Sequence, residues 1–339
     1  MLTLEYAIFS DRGLVRTDNQ DRILACIATP TQCTFEIKSG HREVISEVEF
    51  FGALVADGVG SSSDGGKAAG AIQENFQTFW NQVYRSKRAS RDDILETLLM
   101  THQKILAENL SKAENSASTI VLLHLTENFA YILNVGDSRG YLLQQGAWKQ
   151  LTTDDTIVDS KMLASVIGPG NKVSPHLIKY PVQSGDFFLL CSDGLDSYVP
   201  PQVVFSTILE IPSRSLGEIS EKLNQKALQK GGRDNCSFVM VRILHLQEQK
   251  EEVTRLERKE EKPKTQKIVL EETMPIKNYW TDEKLFFEKK FQEQQEEFRI
   301  LKLRYTQLET KIFYLLGIFG VAQLILLFVF LFLVRFILK

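Results

Sequence analysis

The 339-residue sequence has few cysteines, little net charge and no apolar segment close to its first residue. Its four cysteines form no CxxC pair, which favours free thiols in a reducing compartment. A formal net charge of −3, with no arginine-rich face carrying interleaved aromatics, gives no indication of a nucleic-acid surface. The opening MLTLEY contains no basic region followed by an apolar stretch, so we expect no cleaved signal peptide.

One long apolar run is present, at residues 312–334, with Gln323 as its only strongly polar side chain. As a helix it would measure roughly 34 Å, enough to cross a hydrocarbon core of about 30 Å. This predicts a single transmembrane helix followed by a short basic tail, residues 335–339; a buried core helix is the alternative. More basic side chains precede the span than follow it, which favours a cytoplasmic location for the N-terminal part.

Residues 284–311 carry a heptad seam that leads into this apolar run. Its members alternate at spacings of four and three: Phe287, Phe291, Gln294, Phe298, Leu301, Tyr305 and Leu308. The spacing predicts a short parallel coiled coil that pairs two chains into a homodimer; a single helix lying on the bilayer is the alternative. Residues 247–283 are dense in Glu and Lys and poor in large apolar residues, so we expect a charged linker there.

Residues 1–246 have the pattern of one globular α+β domain. Strand-like runs occur at residues 4–9, 48–56, 119–125, 129–135, 186–191 and 237–244. Several are joined by short turns, which favours antiparallel pairing. Amphipathic helices are predicted over residues 66–84 and 91–113, and Ser90 and Ser215 have the spacing of capping-box residues. The alternation predicts a two-sheet antiparallel β-sandwich flanked by helices.

Four short acidic stretches stand out within this domain, at residues 19–21, 55–58, 190–194 and 233–235. Three of them begin or end a strand-like run, so each aspartate would lie at the end of a strand. Carboxylates that converge without cations repel one another and raise each other's pKa. Hard divalent ions bound through oxygen relieve that repulsion. The sequence therefore predicts a metal-dependent hydrolase.

Several motifs follow one another in an order that resembles the metal-dependent protein phosphatases (the PPM, or type 2C, family). They are GLVRTDNQD at 13–21, DGVG at 57–60, AST at 117–119, NVGDSR at 134–139, LTTDD at 151–155, DFFLLCSDGL at 186–195 and DN at 234–235. The resemblance covers about residues 3–245. It implies the type 2C phosphatase fold and hydrolysis of phosphoserine and phosphothreonine in protein substrates.

The resemblance also implies a site for two Mg²⁺ or Mn²⁺ ions, which activate a water for in-line attack on phosphorus. By resemblance Asp57 bridges both ions and the carbonyl of Gly58 serves the second. Asp193 and Asp234 bind the first ion. No covalent enzyme intermediate is required.

Three further residues take roles from the resemblance. Arg16 would hold the substrate phosphate with its planar set of N–H donors. Asp21 is expected in the metal site, and bacterial relatives can hold a third ion at the aspartates that correspond to Asp137 and Asp193. The histidines fit no metal spacing.

The sequence departs from the family pattern in three places. Gln20 stands where Glu is common, Val59 where eukaryotic members often have His, and the segment between Asp155 and Ile167 is shorter than the usual flap. These departures support an alternative function, a catalytically weak phosphatase-like domain that acts as a membrane-tethered binding module. Residues 60–67 fail the register of a Walker-type loop, and no arginine follows Cys191 as in a cysteine phosphatase.

Overall fold

The structure, a computed structural model, describes residues 1–59, 65–157, 162–170, 173–210 and 214–246. The chain divides into two units, Met1–Val253 and Thr254–Lys339, and the described residues belong to the first. The predicted linker, coiled coil, transmembrane helix and tail lie outside the described residues. Within the part that is described, no helix is long and apolar enough to cross a membrane.

The apolar runs of the first unit form two six-stranded antiparallel sheets, with spatial orders β11-β10-β13-β14-β1-β4 and β12-β9-β8-β5-β2-β3. A short third sheet pairs β6 with β7. The strands are β1 (Leu2–Asp11), β2 (Arg22–Ala28), β3 (Cys33–Glu36), β4 (Gly40–Val48), β5 (Phe50–Ala56), β6 (Gly58–Val59), β7 (Ala117–Ser118), β8 (Ile120–Thr126), β9 (Phe129–Val135), β10 (Arg139–Gln144), β11 (Ala147–Gln150), β12 (His176–Pro181), β13 (Phe187–Cys191) and β14 (Cys236–Leu246).

Five helices are described: α1 (Gly65–Ser86), α2 (Arg91–Lys112), α3 (Asp193–Asp196), α4 (Pro201–Ile208) and α5 (Leu216–Gln229). The capping boxes predicted at Ser90 and Ser215 are both present, closed by Asp93 and Glu218 three residues on. Each box satisfies two backbone N–H groups that the first turn would leave without partners. Helices α2 and α5 therefore begin where the sequence predicts.

Two apolar layers hold these elements together. Between the two sheets, side chains such as Tyr6, Phe51 and Leu190 form one buried cluster. On the outer face of the first sheet, Phe187 and Phe238 join residues of α4 and α5 in a second cluster. On the second sheet, a Cβ added to Gly52 of β5 would lie 2.3 Å from the Trp80 ring of α1, so only glycine allows this helix to pack so closely. The predicted sandwich flanked by helices is confirmed.

One predicted strand begins two residues too early. The apolar run at residues 48–56 is divided at Glu49, where β4 of the first sheet ends and β5 of the second begins. The Glu49 amide donates to the carbonyl of Ala28 at 2.8 Å, which fixes the chain at this change of sheet. Both sides of the junction are buried, so hydrophobicity alone does not mark it.

Candidate functional site

Asp57 and Gly58 lie directly after β5, where a buried strand ends against β7 and β8. The Asp57 carbonyl accepts hydrogen bonds from the Thr119 amide at 2.9 Å and the Ser118 hydroxyl at 2.8 Å. A Cβ on Gly58 would lie 2.5 Å from the Gly65 carbonyl oxygen, so this position has no room for a side chain. The backbone of the Asp57-Gly58 turn is therefore fixed from both sides.

Asp21, just before β2, is buried with 3% of its surface exposed, and its charge acts on Asp57. One carboxylate oxygen accepts a hydrogen bond from the Ser192 hydroxyl at 3.0 Å. The other, Oδ1, is buried and has no hydrogen-bond partner among the described residues. Burial and the nearby charges of Asp193 and Asp234 raise the pKa of Asp21 to about 6, although hydrogen bonds from serine hydroxyls oppose the shift.

Asp193 is the first residue of α3, and only Ser192 separates it from the end of β13. The following Gly194 lies so close to β14 that an added Cβ would be 1.7 Å from the Asn235 carbonyl oxygen. This contact brings the end of β13 next to the start of β14. Asp193 and Asp234, from two neighbouring strands of the first sheet, thereby lie near each other.

Asp234 and Arg16 form an ion pair, with the Arg16 Nη2 donating to Asp234 Oδ2 at 2.8 Å. The hydrogen bond from Arg16 to Asp234 raises the pKa of the guanidinium. The Arg16 side chain is still 52% exposed, so it reaches the solvent-facing side of the site. The Asn235 side chain accepts a hydrogen bond from the backbone amide of Gln20 at 2.9 Å and donates to the backbone carbonyls of Arg12 and Asp18. These bonds tie the loop before β2 to β14.

Asp137 follows Gly136, at the end of β9. Gly136 has φ +96°, and a Cβ there would lie 2.7 Å from the Thr119 methyl carbon, so the turn requires glycine. Burial and the charge of Asp193 raise the pKa of Asp137 to about 6. The structure therefore places Asp137 within electrostatic reach of Asp193.

These five aspartates form what we call the acidic cluster: Asp21, Asp57, Asp137, Asp193 and Asp234. Burial raises the pKa of Asp57 well above its ordinary value, and the charges of the other four members raise it further. All the aspartates predicted from sequence are thus brought together, with Arg16 at the edge.

The acidic cluster supplies the donors that a hard divalent cation binds. Among the described residues, no group of three or more His, Cys, Asp or Glu side chains is placed so that it could hold a metal ion as it stands. The cluster nevertheless holds a buried carboxylate oxygen without a hydrogen-bond partner, Oδ1 of Asp21, and carboxylates close enough to one another to raise the pKa of Asp57. Oxygen donors with excess negative charge are what Mg²⁺ and Mn²⁺ prefer.

Sequence reasoning missed a set of residues that hold the cluster in position. Arg139 donates to both oxygens of Asp154, at 2.9 and 2.6 Å, and lies 3.5 Å from Asp196. The Tyr141 hydroxyl also donates to Asp196, at 2.8 Å. This network ties β10 to α3 beside Asp193. The partners are far apart in sequence, and no local spacing indicates that they meet.

The segment expected as a short flap begins beside the cluster. The Asp155 amide donates to the Gly136 carbonyl at 2.9 Å, and the Gly136 amide donates to the Asp155 carboxylate at 2.9 Å. Thr156 and Leu163 then form a β-bridge. Residues 158–161 lie outside the described residues.

The fold places this chain among solved serine/threonine phosphatases. A crystal structure of Mycobacterium tuberculosis PstP/Ppp superposes with a TM-score of 0.58 and 25% identity, covering 72% of this chain and 100% of that one. The PstP catalytic domain in complex with two manganese ions superposes with a TM-score of 0.54 and 23% identity, covering 72% of this chain and all of that one.

Sequence comparison leads to the family. PstP of M. tuberculosis is 28% identical over 72% of this chain, and the match spans 46% of the length of PstP. The Listeria monocytogenes phosphatase Stp is 28% identical over 68% of this chain, and the match spans 93% of the length of Stp. The protein phosphatase 2C family model matches residues 41–229, more than half of the chain. The chain therefore belongs to the protein phosphatase 2C family, as predicted. Asp57, Asp137 and Asp193 lie inside the matched range, whereas Asp21 and Asp234 lie outside it.

Proposed function

We propose that this chain is a Mg²⁺- or Mn²⁺-dependent phosphatase that hydrolyses phosphoserine and phosphothreonine in proteins. The observation that carries the proposal is the acidic cluster, in which burial and four neighbouring aspartates raise the pKa of Asp57. A buried group of like charges is costly to the fold unless a cation offsets it. Family membership supplies the reaction class, and the PstP catalytic domain has been seen with two manganese ions.

In this proposal Asp57, the Gly58 carbonyl, Asp193 and Asp234 would hold two cations, and Asp137 with Asp193 a third. Cations held there would lower the pKa of a water and offset phosphate charge. Asp21 contributes negative charge near Asp57.

Arg16 would orient the substrate at the edge of the cluster. Only Nη2 of its guanidinium bonds Asp234. A guanidinium carries five N–H donors, so several remain for phosphate oxygens. The ion pair with Asp234 keeps the side chain at the site, and this reduces the entropy lost when phosphate binds.

The test compares the full chain with two variants in Mn²⁺-dependent release of phosphate from a phosphothreonine peptide. Asp193→Asn should lower kcat at least about a hundredfold, because the loss of one electrostatic contributor commonly costs several kcal/mol of transition-state stabilisation. Asp92→Asn, on the exposed first turn of α2, is the matched control and should keep the wild-type rate. More than about a tenth of the wild-type rate in Asp193→Asn would contradict the assigned role.

The second candidate function is a catalytically weak binding module. Gln20 favours this second function. Its side chain lies against Gly65, where an added Cβ would be 2.6 Å from Gln20 Oε1. The Gln20 amide brings no negative charge to the site. Gln20→Glu separates the two candidates. An active phosphatase should change in kcat/KM by less than about threefold, whereas a module weakened by the missing charge should gain at least about tenfold.

We also propose that residues 312–334 anchor the chain to a membrane, with the phosphatase domain in the cytoplasm. The support is the length and uniform hydrophobicity of this run and the excess of basic side chains before it. Attachment would restrict catalysis to phosphoproteins near the surface and raise their effective concentration. The full chain should remain in the membrane pellet after alkaline carbonate washing, and release into the supernatant would contradict the anchor.

A further inference from the structure

Beside the acidic cluster, the loop between β1 and β2 presents two apolar side chains to solvent. Leu14 and Val15 are 66% and 64% exposed, and they directly precede Arg16. Isolated exposed apolar residues are common on protein surfaces. This pair is different because it is adjacent to the proposed phosphate-binding residue. We call Leu14 and Val15 the apolar ledge.

The backbone beneath the apolar ledge is fixed on both sides. The Gly13 amide donates to the Asp11 carboxylate at 2.7 Å, and the Leu14 amide donates to the Gly232 carbonyl at 2.7 Å. On the other side, Arg12 Nη1 donates to the Thr17 carbonyl at 3.2 Å. The loop is therefore held by contacts that do not use the Leu14 and Val15 side chains.

Gly13 shows how closely this loop is packed. It has φ +76°, and an added Cβ would lie 2.4 Å from the Asp234 carbonyl oxygen and 2.7 Å from that of Gly232. The loop thus lies directly on the turn that carries Asp234. Because Arg16 is also paired with Asp234, the apolar ledge and the phosphate-binding residue have a common support.

We infer that the apolar ledge is a substrate-docking surface that selects phosphoproteins with a large apolar side chain within two residues of the phosphorylated one. This inference rests on the proposed function. Consecutive Cα atoms are about 3.8 Å apart. The apolar ledge begins one residue from Arg16, and in a substrate the neighbouring residue is one residue from the phosphorylated one, so the two separations match. An apolar neighbour would cover the ledge and remove both surfaces from water, whereas a charged one would lose hydration there.

The experiment measures kcat/KM of the full chain with Mn²⁺ on three substrates: a phosphothreonine peptide flanked by leucines, the same peptide flanked by glutamates, and p-nitrophenyl phosphate. The variant combines Leu14→Ser with Val15→Ser. Both side chains are exposed, so folding should be retained. Val44→Ser, at a position on β4 that is also 64% exposed, is the matched control.

We expect the wild type to prefer the leucine-flanked peptide by roughly tenfold, the range that apolar contacts contribute to discrimination. The double variant should reduce that ratio to about twofold or less while its rate on p-nitrophenyl phosphate, which is too small to cover the ledge, stays within about twofold of wild type. Val44→Ser should keep the full ratio.

Two results would overturn the inference while leaving the proposed function in place. One is turnover of both peptides at equal kcat/KM by the wild type. The other is a leucine preference that persists unchanged in the double variant. Failure of the proposed function has a different signature, since no substrate, p-nitrophenyl phosphate included, would then show Mn²⁺-dependent turnover.

Discussion

At the residue scale, the site depends on glycines that allow backbones to approach one another. Gly58 and Gly194 each follow an aspartate of the acidic cluster, and each lies within contact distance of another segment's carbonyl. A side chain at either position would push that segment away and move the neighbouring carboxylate. The same contacts bring Asp57 and Asp193 near enough to raise the pKa of Asp57.

His124 is a buried titratable group away from the cluster, and it predicts a pH dependence of stability. It lies on β8 with 1% of its surface exposed, and its Nδ1 has no hydrogen-bond partner among the described residues. Burial lowers its pKa from 6.5 to about 4. As pH falls from about 6.5 to about 4, the unfolded chain takes up a proton that the folded chain refuses, so folding should lose roughly 3 kcal/mol.

His124→Phe should remove this contribution and keep the ring contacts with Phe50 and Tyr131. Urea unfolding at pH 7.5 and pH 5 measures the loss in each protein. We expect the variant to lose less stability than wild type between the two pH values. His245→Phe, at an exposed position of β14, is the control and should behave as wild type. An equal loss in His124→Phe and wild type would show that another group is responsible.

The positioning residues mark the limit of residue-level prediction. Asp57 and Asp193 could be predicted because each follows an apolar strand within a short motif. Ser192 and Arg139 also lie in motifs of the family, at 186–195 and 134–139, but their contacts with Asp21 and Asp154 are determined by tertiary packing. No spacing in the sequence encodes those contacts.

At the element scale, the packing of α1 on the second sheet requires the absence of a side chain at Gly52. Gly52→Ala would place a methyl group within the Trp80 ring and should destabilise the fold by at least about 1–3 kcal/mol. Gly70→Ala, within α1 itself, has no atom within 4 Å of the added Cβ and should stabilise by about 0.5–1 kcal/mol.

Thermal unfolding of the two alanine variants tests both predictions, which are opposite changes in stability. A melting temperature of Gly52→Ala equal to or above that of wild type would contradict the close contact between β5 and α1. A lower melting temperature of Gly70→Ala would contradict the open surroundings of that position.

Elements were predictable where one physical signal dominates. The capping boxes locate α2 and α5, and the apolar runs locate β5, β9 and β13 within a residue or two. The edge strands β3 and β4 carry partly polar sequences and were not predicted, because their pairing depends on a neighbouring strand. The junction at Glu49 was missed because the residues on either side of it, Val48 and Phe50, are both apolar and buried.

At the scale of the whole molecule, the acidic cluster joins the two sheets. Asp57 and Asp137 follow strands of the second sheet, whereas Asp193 and Asp234 adjoin strands of the first. The proposed cations would therefore bind residues from both layers, and binding would stabilise the assembled sandwich over the unfolded chain.

The proposed dimer is a prediction about the chain beyond the described residues. If residues 284–311 pair in a parallel coiled coil, Leu301→Cys at a seam position should form a disulfide-linked dimer in membranes under mild oxidation. Replacing Glu297, which lies off the seam, with cysteine is the control and should cross-link much less. Monomer alone from Leu301→Cys would favour a single helix on the bilayer.

Calorimetric titration of the full chain with Mn²⁺ tests the central claim most directly. At least two ions per chain are expected for wild type, and Asp57→Asn, which removes a proposed ligand, should lose measurable binding of at least one. Wild-type protein that binds no Mn²⁺ and no Mg²⁺, or an Asp57→Asn variant that binds both ions as wild type does, would contradict a metal centre built on the acidic cluster.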